Sequence, residues 1–139
     1  MAYDPDNLFM RIIRNELPCV KVYEDDHVIA FMDIMPQSEG HTLVVPKVAG
    51  ENLLDTPPAS IAAAMQVVQR LARAAHAAFG CPGVMVAQFN GAAAGQTVFH
   101  LHFHVIPRWT DRPDGAHGRH RADPATLEAQ ASQWREALR

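Results

Sequence analysis

The chain has 139 residues, which is enough for one domain with a single hydrophobic core. Hydrophobic residues make up 48% of it and charged residues 19%, a composition typical of an ordinary globular protein and not of a disordered or fibrous one. The formal net charge of −3 gives no reason to expect nucleic acid or an anionic membrane surface as a partner.

The cysteines and the N-terminus bear on the cellular compartment. Cys19 and Cys81 have neither metal-ligand nor redox spacing, and two cysteines do not make a disulfide framework. The N-terminus lacks the basic segment and the apolar run of a signal peptide. Since no apolar run approaches the ~20 residues that span a bilayer, we expect a cytoplasmic protein that does not contact a membrane.

The first third of the chain predicts one helix and three strands. A short helix is predicted from about Asp6 to about Asn15, and Pro18 follows it as a helix breaker. Short connections between the strands favour antiparallel pairing, because a parallel pair needs a crossover of a dozen or more residues. The three strands are predicted near residues 20–24, 28–33 and 41–46.

A long helix is predicted over residues 56–79. Thr56 is expected to cap its N-terminus, and Gly80 suits its C-terminal exit. An apolar stripe at steps of three and four predicts that one side of the helix lies on a sheet. The residues of the stripe are Ile61, Met65, Val68, Leu71, Ala75 and Ala78.

Two more strands are predicted over 84–90 and 98–108, joined by a loop of small residues at 91–95. A polar surface loop is expected at 110–120, and a closing helix at 124–138. The sum is an α+β domain with a five-stranded antiparallel sheet, one long helix and shorter terminal helices.

The run from His100 to Val105 carries the chemical information. His100, His102 and His104 alternate with apolar residues, so in a strand the imidazoles share one face and the apolar side chains face the long helix. Three imidazolium charges so near to one another would repel. At least one imidazole is therefore predicted to be neutral at pH 7. A neutral imidazole acts as a nucleophile, a general base or a metal ligand.

Three interpretations of the run compete: surface histidines on a half-exposed strand, a zinc half-site, and a site for phosphoryl chemistry. The zinc interpretation needs a further protein ligand, but no Cys, Asp or Glu lies near the run in sequence. Asn90, Gln96 and Thr97 lie there instead, and amides and hydroxyls suit phosphate oxygens better than zinc. Gly95 allows backbone N–H groups to approach an anion. Together they favour phosphoryl-type chemistry.

The run and its flanks resemble a known family. His100-Leu-His-Phe-His-Val-Ile106 fits the signature His-φ-His-φ-His-φ-φ, with φ apolar, of the histidine-triad (HIT) family, and Gly95-Gln-Thr-Val-Phe99 precedes it. Further similar segments lie at 8–18, 30–37 and 40–47, so the resemblance covers about residues 7–109. We therefore assign 1–112 to a HIT-type domain and treat the loop and helix of 113–139 as part of the same domain.

The resemblance implies a homodimer with a continuous sheet and a two-step reaction. His102 would attack the α-phosphorus of a nucleotide, and water would hydrolyse the nucleotidyl-histidine that results. By motif position His104 would bind the α-phosphate, while His100 and His41 would support the site.

The resemblance also implies a nucleotide pocket. Asp33 matches a carboxylate that binds ribose hydroxyls, although it could simply cap the turn before Pro36, and His41 could be an ordinary sheet histidine. The remaining four histidines, His27, His76, His117 and His120, are interpreted as surface residues. The apolar matches to the purine walls, for which plain core packing is the alternative, are Leu8, Phe9, Leu17, Phe31 and Ile34. The matches to the phosphate-binding residues are Asn90, Gly95, Gln96 and Thr97.

One departure from the family pattern concerns metal. Many bacterial members carry Cys-x-x-Cys in the segment ending near Met10, and those cysteines join histidines in a structural zinc site. Here the positions hold Asn7 and Met10, which are poor zinc ligands, although His41 and His100 remain. We therefore predict no zinc and no cofactor.

The predicted partner is a purine nucleotide or nucleotide conjugate, and nucleoside phosphoramidates or similar AMP or GMP conjugates are the first choice of substrate. The segment from Phe31 to Gln37 favours them. A dinucleoside polyphosphate hydrolase is the alternative, favoured by the Gly95-Gln-Thr-Val98 lead and the Val105-Ile-Pro-Arg108 exit. A regulatory protein that binds nucleotides without physiological turnover is a second alternative. Arg108 or Trp109 is expected to border the leaving group.

Overall fold

A five-stranded antiparallel sheet is the centre of the fold, as predicted. The computed structural model describes residues 2–112 and 120–139. The strands are β1 (Lys21–Glu24), β2 (Val28–Met32), β3 (Thr42–Pro46), β4 (Gly83–Ala87) and β5 (Phe103–Arg108). They lie in the order β1-β2-β3-β5-β4, so β4 forms one edge.

Three helices accompany the sheet: α1 (Leu8–Ile13), α2 (Pro58–Phe79) and α3 (Pro124–Ala137). No helix among residues 2–112 and 120–139 has the length and apolar character needed to cross a membrane. The cytoplasmic location stays a prediction. Most of the loop predicted at 110–120, with His117, lies outside the described residues.

Helix α2 covers one face of the sheet. Ala64, Val67, Val68 and Leu71 are buried against strand residues such as Val105. Leu101 and Phe103 belong to the same core, so the apolar residues between the histidines face this helix as expected. The prediction that Met65 lies on the buried stripe is wrong: Met65 is 40% exposed, because the helix turns its Ala64 and Val67 positions toward the sheet.

The start of α2 also differs from the prediction. Thr56 does not cap the helix, because its hydroxyl donates to the carbonyl of Asn52 and Pro57 occupies the cap position without a side-chain hydrogen bond. At the other end Gly80 adopts the left-handed conformation expected of a C-terminal exit. Its N–H donates to the carbonyl of His76.

Helix α1 covers the opposite face, where a second apolar cluster forms. Asn7 caps α1 by accepting the N–H of Met10, and the helix buries Phe9 and Ile12. Strands β2 and β3 are therefore buried along their whole length. The cluster contains Phe9, Ile12, Ile29, Phe31, Leu43 and Val45.

The histidine run does not lie in one strand, which corrects the prediction. Strand β5 begins at Phe103 and not at Val98, so only His104 belongs to it. The chain before it leaves the sheet because the N–H of Leu101 donates to Gly50 and not to a neighbouring strand. For the same reason β4 ends at Ala87 and not at Asn90, since its partner register stops at His104.

Candidate active site

His102 has a defined proton position. Its Nδ1 lies 2.7 Å from the carbonyl oxygen of His100, and a carbonyl only accepts, so Nδ1 carries the proton. In a neutral ring Nε2 then carries the lone pair, which is the state a nucleophile needs. The ring of Phe9 packs edge-on against it with ring centres 4.8 Å apart. Both contacts fix the ring.

A second chain of contacts fixes His104. The N–H of Gln37 donates to Nδ1 of His41 at 3.0 Å, so that nitrogen carries no proton and His41 is neutral. The proton on Nε2 of His41 then faces Nδ1 of His104 at 2.9 Å. A neutral His104 therefore carries its proton on Nε2. Nε2 of His104 can therefore donate a hydrogen bond, whereas Nε2 of His102 can accept one.

Asp33 lies beside this chain and is 7% exposed. One carboxylate oxygen accepts the N–H of Met35 at 2.8 Å, and the other lies 3.4 Å from Nε2 of His41. The first contact caps the turn before Pro36, the alternative role that the sequence allows for Asp33. The second ties the carboxylate to the imidazoles, so Asp33 belongs to the site as well.

His100 lies behind the site and is fully buried. Its Nε2 donates to the carbonyl of Pro46 at 2.7 Å, so its Nδ1 accepts from the hydroxyl of Tyr3 at 2.6 Å. Strand alternation predicts that this imidazole shares an open face with the other two. That prediction is wrong, because the ring faces neither a cleft nor solvent. The backbone carbonyl of His100 is what orients His102.

Burial of His100 predicts a pH dependence of stability. Burial lowers the pKa of His100 below its ordinary value of 6.5, and the hydrogen bond to Pro46 opposes this only in part. Between the two values the unfolded chain binds a proton that the native ring refuses, so the free energy of unfolding should fall as the pH drops below about 6.5. One such group contributes at most about 1.4 kcal/mol per pH unit.

Denaturant unfolding between pH 7.5 and 5.5 measures this slope. We expect the slope to be smaller in His100→Asn than in the wild type, and unchanged in the control His27→Asn, whose histidine is exposed. Equal slopes in His100→Asn and the wild type would contradict the assignment.

A cavity of about 360 Å³ opens in front of His102 and His104. Asp33 and Thr97 also line it. The apolar residues matched to the purine walls all line the same cavity: Leu8, Phe9, Leu17, Phe31 and Ile34. The structure thus brings together side chains from α1, β2, the loop before β5 and β5 itself.

Three residues predicted to hold phosphate do not line this cavity. Both amide protons of Gln96 are donated to carbonyls, those of Glu51 and Val98, so its side chain shapes the loop and the prediction that it donates to phosphate is wrong. The side chain of Asn90 accepts the N–H of Leu53 and the amide of Gln88, which again joins loops. Gly95 closes the 91–95 turn with a φ of 101°.

Arg108 and Trp109, which are expected to border the leaving group, lie outside the lining of this cavity, and their contact with a leaving group stays a prediction. Arg108 donates to the side chain of Gln37 at 2.7 Å, and Trp109 stacks against Arg112. Neither lines the cavity, whereas Arg121 does.

Comparison of the chain with known proteins identifies its family. Residues 14–111 match the family model of the HIT domain. The chain belongs to the HIT family.

Its relatives in the HIT family include proteins named as enzymes. It is 44% identical over 103 residues to the adenylylsulfatase HINT3 of Arabidopsis thaliana, a match that covers 74% of this chain but only 52% of the longer plant protein. It is 41% identical over 101 residues to the adenosine 5′-monophosphoramidase HNT1 of Saccharomyces cerevisiae, covering 73% and 61% of the two chains. A HIT-like protein from Bartonella henselae, described as involved in cell-cycle regulation, has a crystal structure with a TM-score of 0.91 and 48% identity, covering 98% and 99%. The chain is therefore similar to nucleotide hydrolases.

The structural zinc site of many bacterial HIT proteins does not fit these residues. Asn7 caps α1 and both ring nitrogens of His100 are hydrogen-bonded. Within the described residues, one group has ligand atoms close enough together to hold a metal ion. It consists of Asp33, His41 and His104 and does not include His100. We interpret this group as a hydrogen-bond network, because the two imidazoles contact each other directly at 2.9 Å.

Several site residues gave no signal in the sequence. Tyr3 contacts His100 across 97 positions, and Gln37 acts through its backbone N–H, which any residue but proline offers. Ordinary apolar residues complete the cavity without a motif of their own; they include Ile12, Pro18, Leu43 and Val98. Of the histidines interpreted as surface residues, His27, His76 and His120 are exposed.

Proposed function

We propose that this chain hydrolyses or transfers the nucleotidyl group of a purine nucleotide conjugate, with His102 as the nucleophile. The observation that carries the proposal is the 2.7 Å contact between Nδ1 of His102 and the carbonyl of His100. It puts the lone pair of the ring on Nε2 in a side chain that lines the cavity.

The chemistry follows from the two proton positions. Nε2 of His102 attacks the α-phosphorus, a phosphorus–nitrogen bond forms, and the bond to the leaving group breaks and gives its electron pair to that group. The Nε2–H of His104 donates to a phosphate oxygen and stabilises the negative charge that develops there. Water then attacks the phosphorus, the phosphorus–nitrogen bond breaks, and the electron pair returns to Nε2 of His102. The proton that the water releases balances the proton that the leaving group takes up.

The cavity supports a nucleotide as the substrate. Its volume of about 360 Å³ lies within the range of small-molecule sites. Apolar side chains such as Leu8 and Phe31 suit the faces of a purine, and the carboxylate of Asp33 suits ribose hydroxyls as an acceptor. Thr97, exposed at the cavity beside the histidines, is the remaining side-chain candidate for a phosphate contact.

The leaving group distinguishes the candidate activities. We favour an AMP or GMP phosphoramidate or a similar conjugate over a dinucleoside polyphosphate, since one relative is named a monophosphoramidase and another an adenylylsulfatase. Steady-state rates on AMP-lysine-type phosphoramidates and on diadenosine polyphosphates test this choice. A higher kcat/KM on the phosphoramidate supports it, a higher value on the polyphosphate overturns it, and no turnover of any nucleotide conjugate would favour a regulatory nucleotide-binding protein.

We also propose a homodimer that forms through β4. This strand is the sheet edge opposite β1, and its Met85 and Val86 are 38% and 43% exposed. An edge strand with exposed apolar residues pairs readily with a second copy. Sedimentation equilibrium should give twice the chain mass of 15.3 kDa, and a monomer at micromolar concentration would refute the dimer.

A further inference from the structure

The segment before α3 brings a positive charge to the cavity. The N–H of Ala122 donates to the carbonyl of Ile34 at 2.8 Å, which fastens this segment beside the residue that follows Asp33. The residue that precedes Ala122 is Arg121. It lines the cavity together with Ile34, Asp33 and His102. Arg121 therefore reaches the site from a part of the chain that carries no family motif.

Arg121 differs in charge from the rest of the cavity. Among the described lining residues it is the single side chain with a permanent positive charge, and Asp33 is the single carboxylate. Arg121 is exposed, and within residues 2–112 and 120–139 no ion pair or side-chain hydrogen bond holds its guanidinium. The group is thus available to a ligand.

The segment that carries Arg121 is anchored at the apolar part of the cavity. His102 and His104 define the phosphate end, whereas the anchor of the Arg121 segment is the backbone of Ile34. Ile34 and Leu8 line the same cavity and are 42% and 46% exposed, and exposed apolar side chains in a groove are typical of a ligand-binding surface. A flat aromatic ligand lying against them would therefore lie in the same cavity as the planar cation of Arg121.

We propose that Arg121 is a specificity-determining residue that stacks its guanidinium on the purine base. The proposal rests on the proposed function, because it assumes that the base occupies the apolar end of the cavity. A guanidinium is planar and weakly hydrated, so it stacks on an aromatic ring and attracts its π-electrons. A contact made equally in the bound substrate and in the transition state lowers KM and leaves kcat unchanged.

Calorimetric binding of adenosine and AMP to the full chain tests the proposal. For Arg121→Ala we expect Kd to rise about tenfold for both ligands by the same factor, because adenosine has the base without the phosphate. Arg121→Lys should give an intermediate loss, since an ammonium keeps the charge but not the plane. The control Arg73→Ala, on the exposed side of α2 and outside the cavity, should bind like the wild type. With the phosphoramidate substrate, Arg121→Ala should raise KM and keep kcat.

Three results would overturn the assignment. A loss confined to AMP would place Arg121 on the phosphate, unchanged Kd values would remove it from recognition, and a fall in kcat alone would make it part of the chemical step. If the wild type binds adenosine and AMP while Arg121→Ala binds them equally well, this inference fails and the proposed function stands. If the wild type binds neither ligand, both fail.

Discussion

Replacing His102 with asparagine should abolish turnover and keep nucleotide binding. Asparagine has a similar reach but no lone pair that can attack phosphorus, so kcat should fall by about 10⁴-fold or more, as in other enzymes that lose their nucleophile. Because His102 forms only part of the cavity lining, the Kd for AMP should change by less than about tenfold. Single-turnover kinetics and calorimetry measure the two quantities separately.

The control for this variant is His27→Asn, since His27 is exposed and does not line the cavity in front of the triad. It should retain the wild-type kcat. If His102→Asn keeps kcat within tenfold of the wild type, His102 is not the nucleophile and the proposed mechanism is wrong.

Trp134→Ala should cost the largest amount of stability among the substitutions considered. Trp134 is fully buried, its indole N–H donates to the carbonyl of Gly40 at 3.0 Å, and its ring packs edge-on against Phe79 at 5.0 Å. Removing a buried tryptophan leaves a cavity and typically costs about 3–5 kcal/mol. Gly40 directly precedes His41, so the same contact connects α3 to the site.

Chemical denaturation measures this effect, with two control variants. Trp134→Phe keeps a ring in the core and should lose less, while Ser132→Ala, exposed on the same helix, should stay within about 0.5 kcal/mol of the wild type. A single unfolding transition is expected, because we propose that residues 113–139 belong to the same domain. A cost below 1 kcal/mol, or a separate early transition for α3, would show that α3 is not part of the domain.

Much of the fold could be predicted because its signals are local. The helical spacing of Val68, Leu71 and Ala75 and the left-handed Gly80 place α2 almost to the residue. The strands predicted at 28–33 and 41–46 correspond to β2 and β3, whereas their burial on both faces follows only from the second cluster around Phe9 and Leu43.

The start of β5 could not be predicted because a contact distant in sequence decides it. Alternation of histidines and apolar residues fits a strand, yet the N–H of Leu101 donates to Gly50 instead. That detour turns the carbonyl of His100 toward the ring of His102 and buries the ring of His100. A strand model therefore predicts which residues meet but not which nitrogen carries the proton.

The site residues also divide into those that the sequence indicates and those that only the fold reveals. Side-chain types with a distinct chemistry, such as His102, His104 and Asp33, are visible in the sequence and do meet in space. Contacts that use backbone groups or distant residues are invisible: the N–H of Gln37, the hydroxyl of Tyr3 and the approach of Arg121 follow only from the fold. The sequence does not reveal the role of Gln96, because an amide that closes a loop and one that binds phosphate have the same sequence pattern.

Covalent trapping of the intermediate tests the central claim most directly. The protein is incubated with a slowly hydrolysed AMP conjugate, quenched, digested and examined by mass spectrometry. We predict a nucleotidyl group on the peptide that contains His102, located on that residue and absent from His102→Asn. A nucleotidyl group on His100, His104 or any other residue, or steady turnover with direct evidence against a covalent species, would contradict the account.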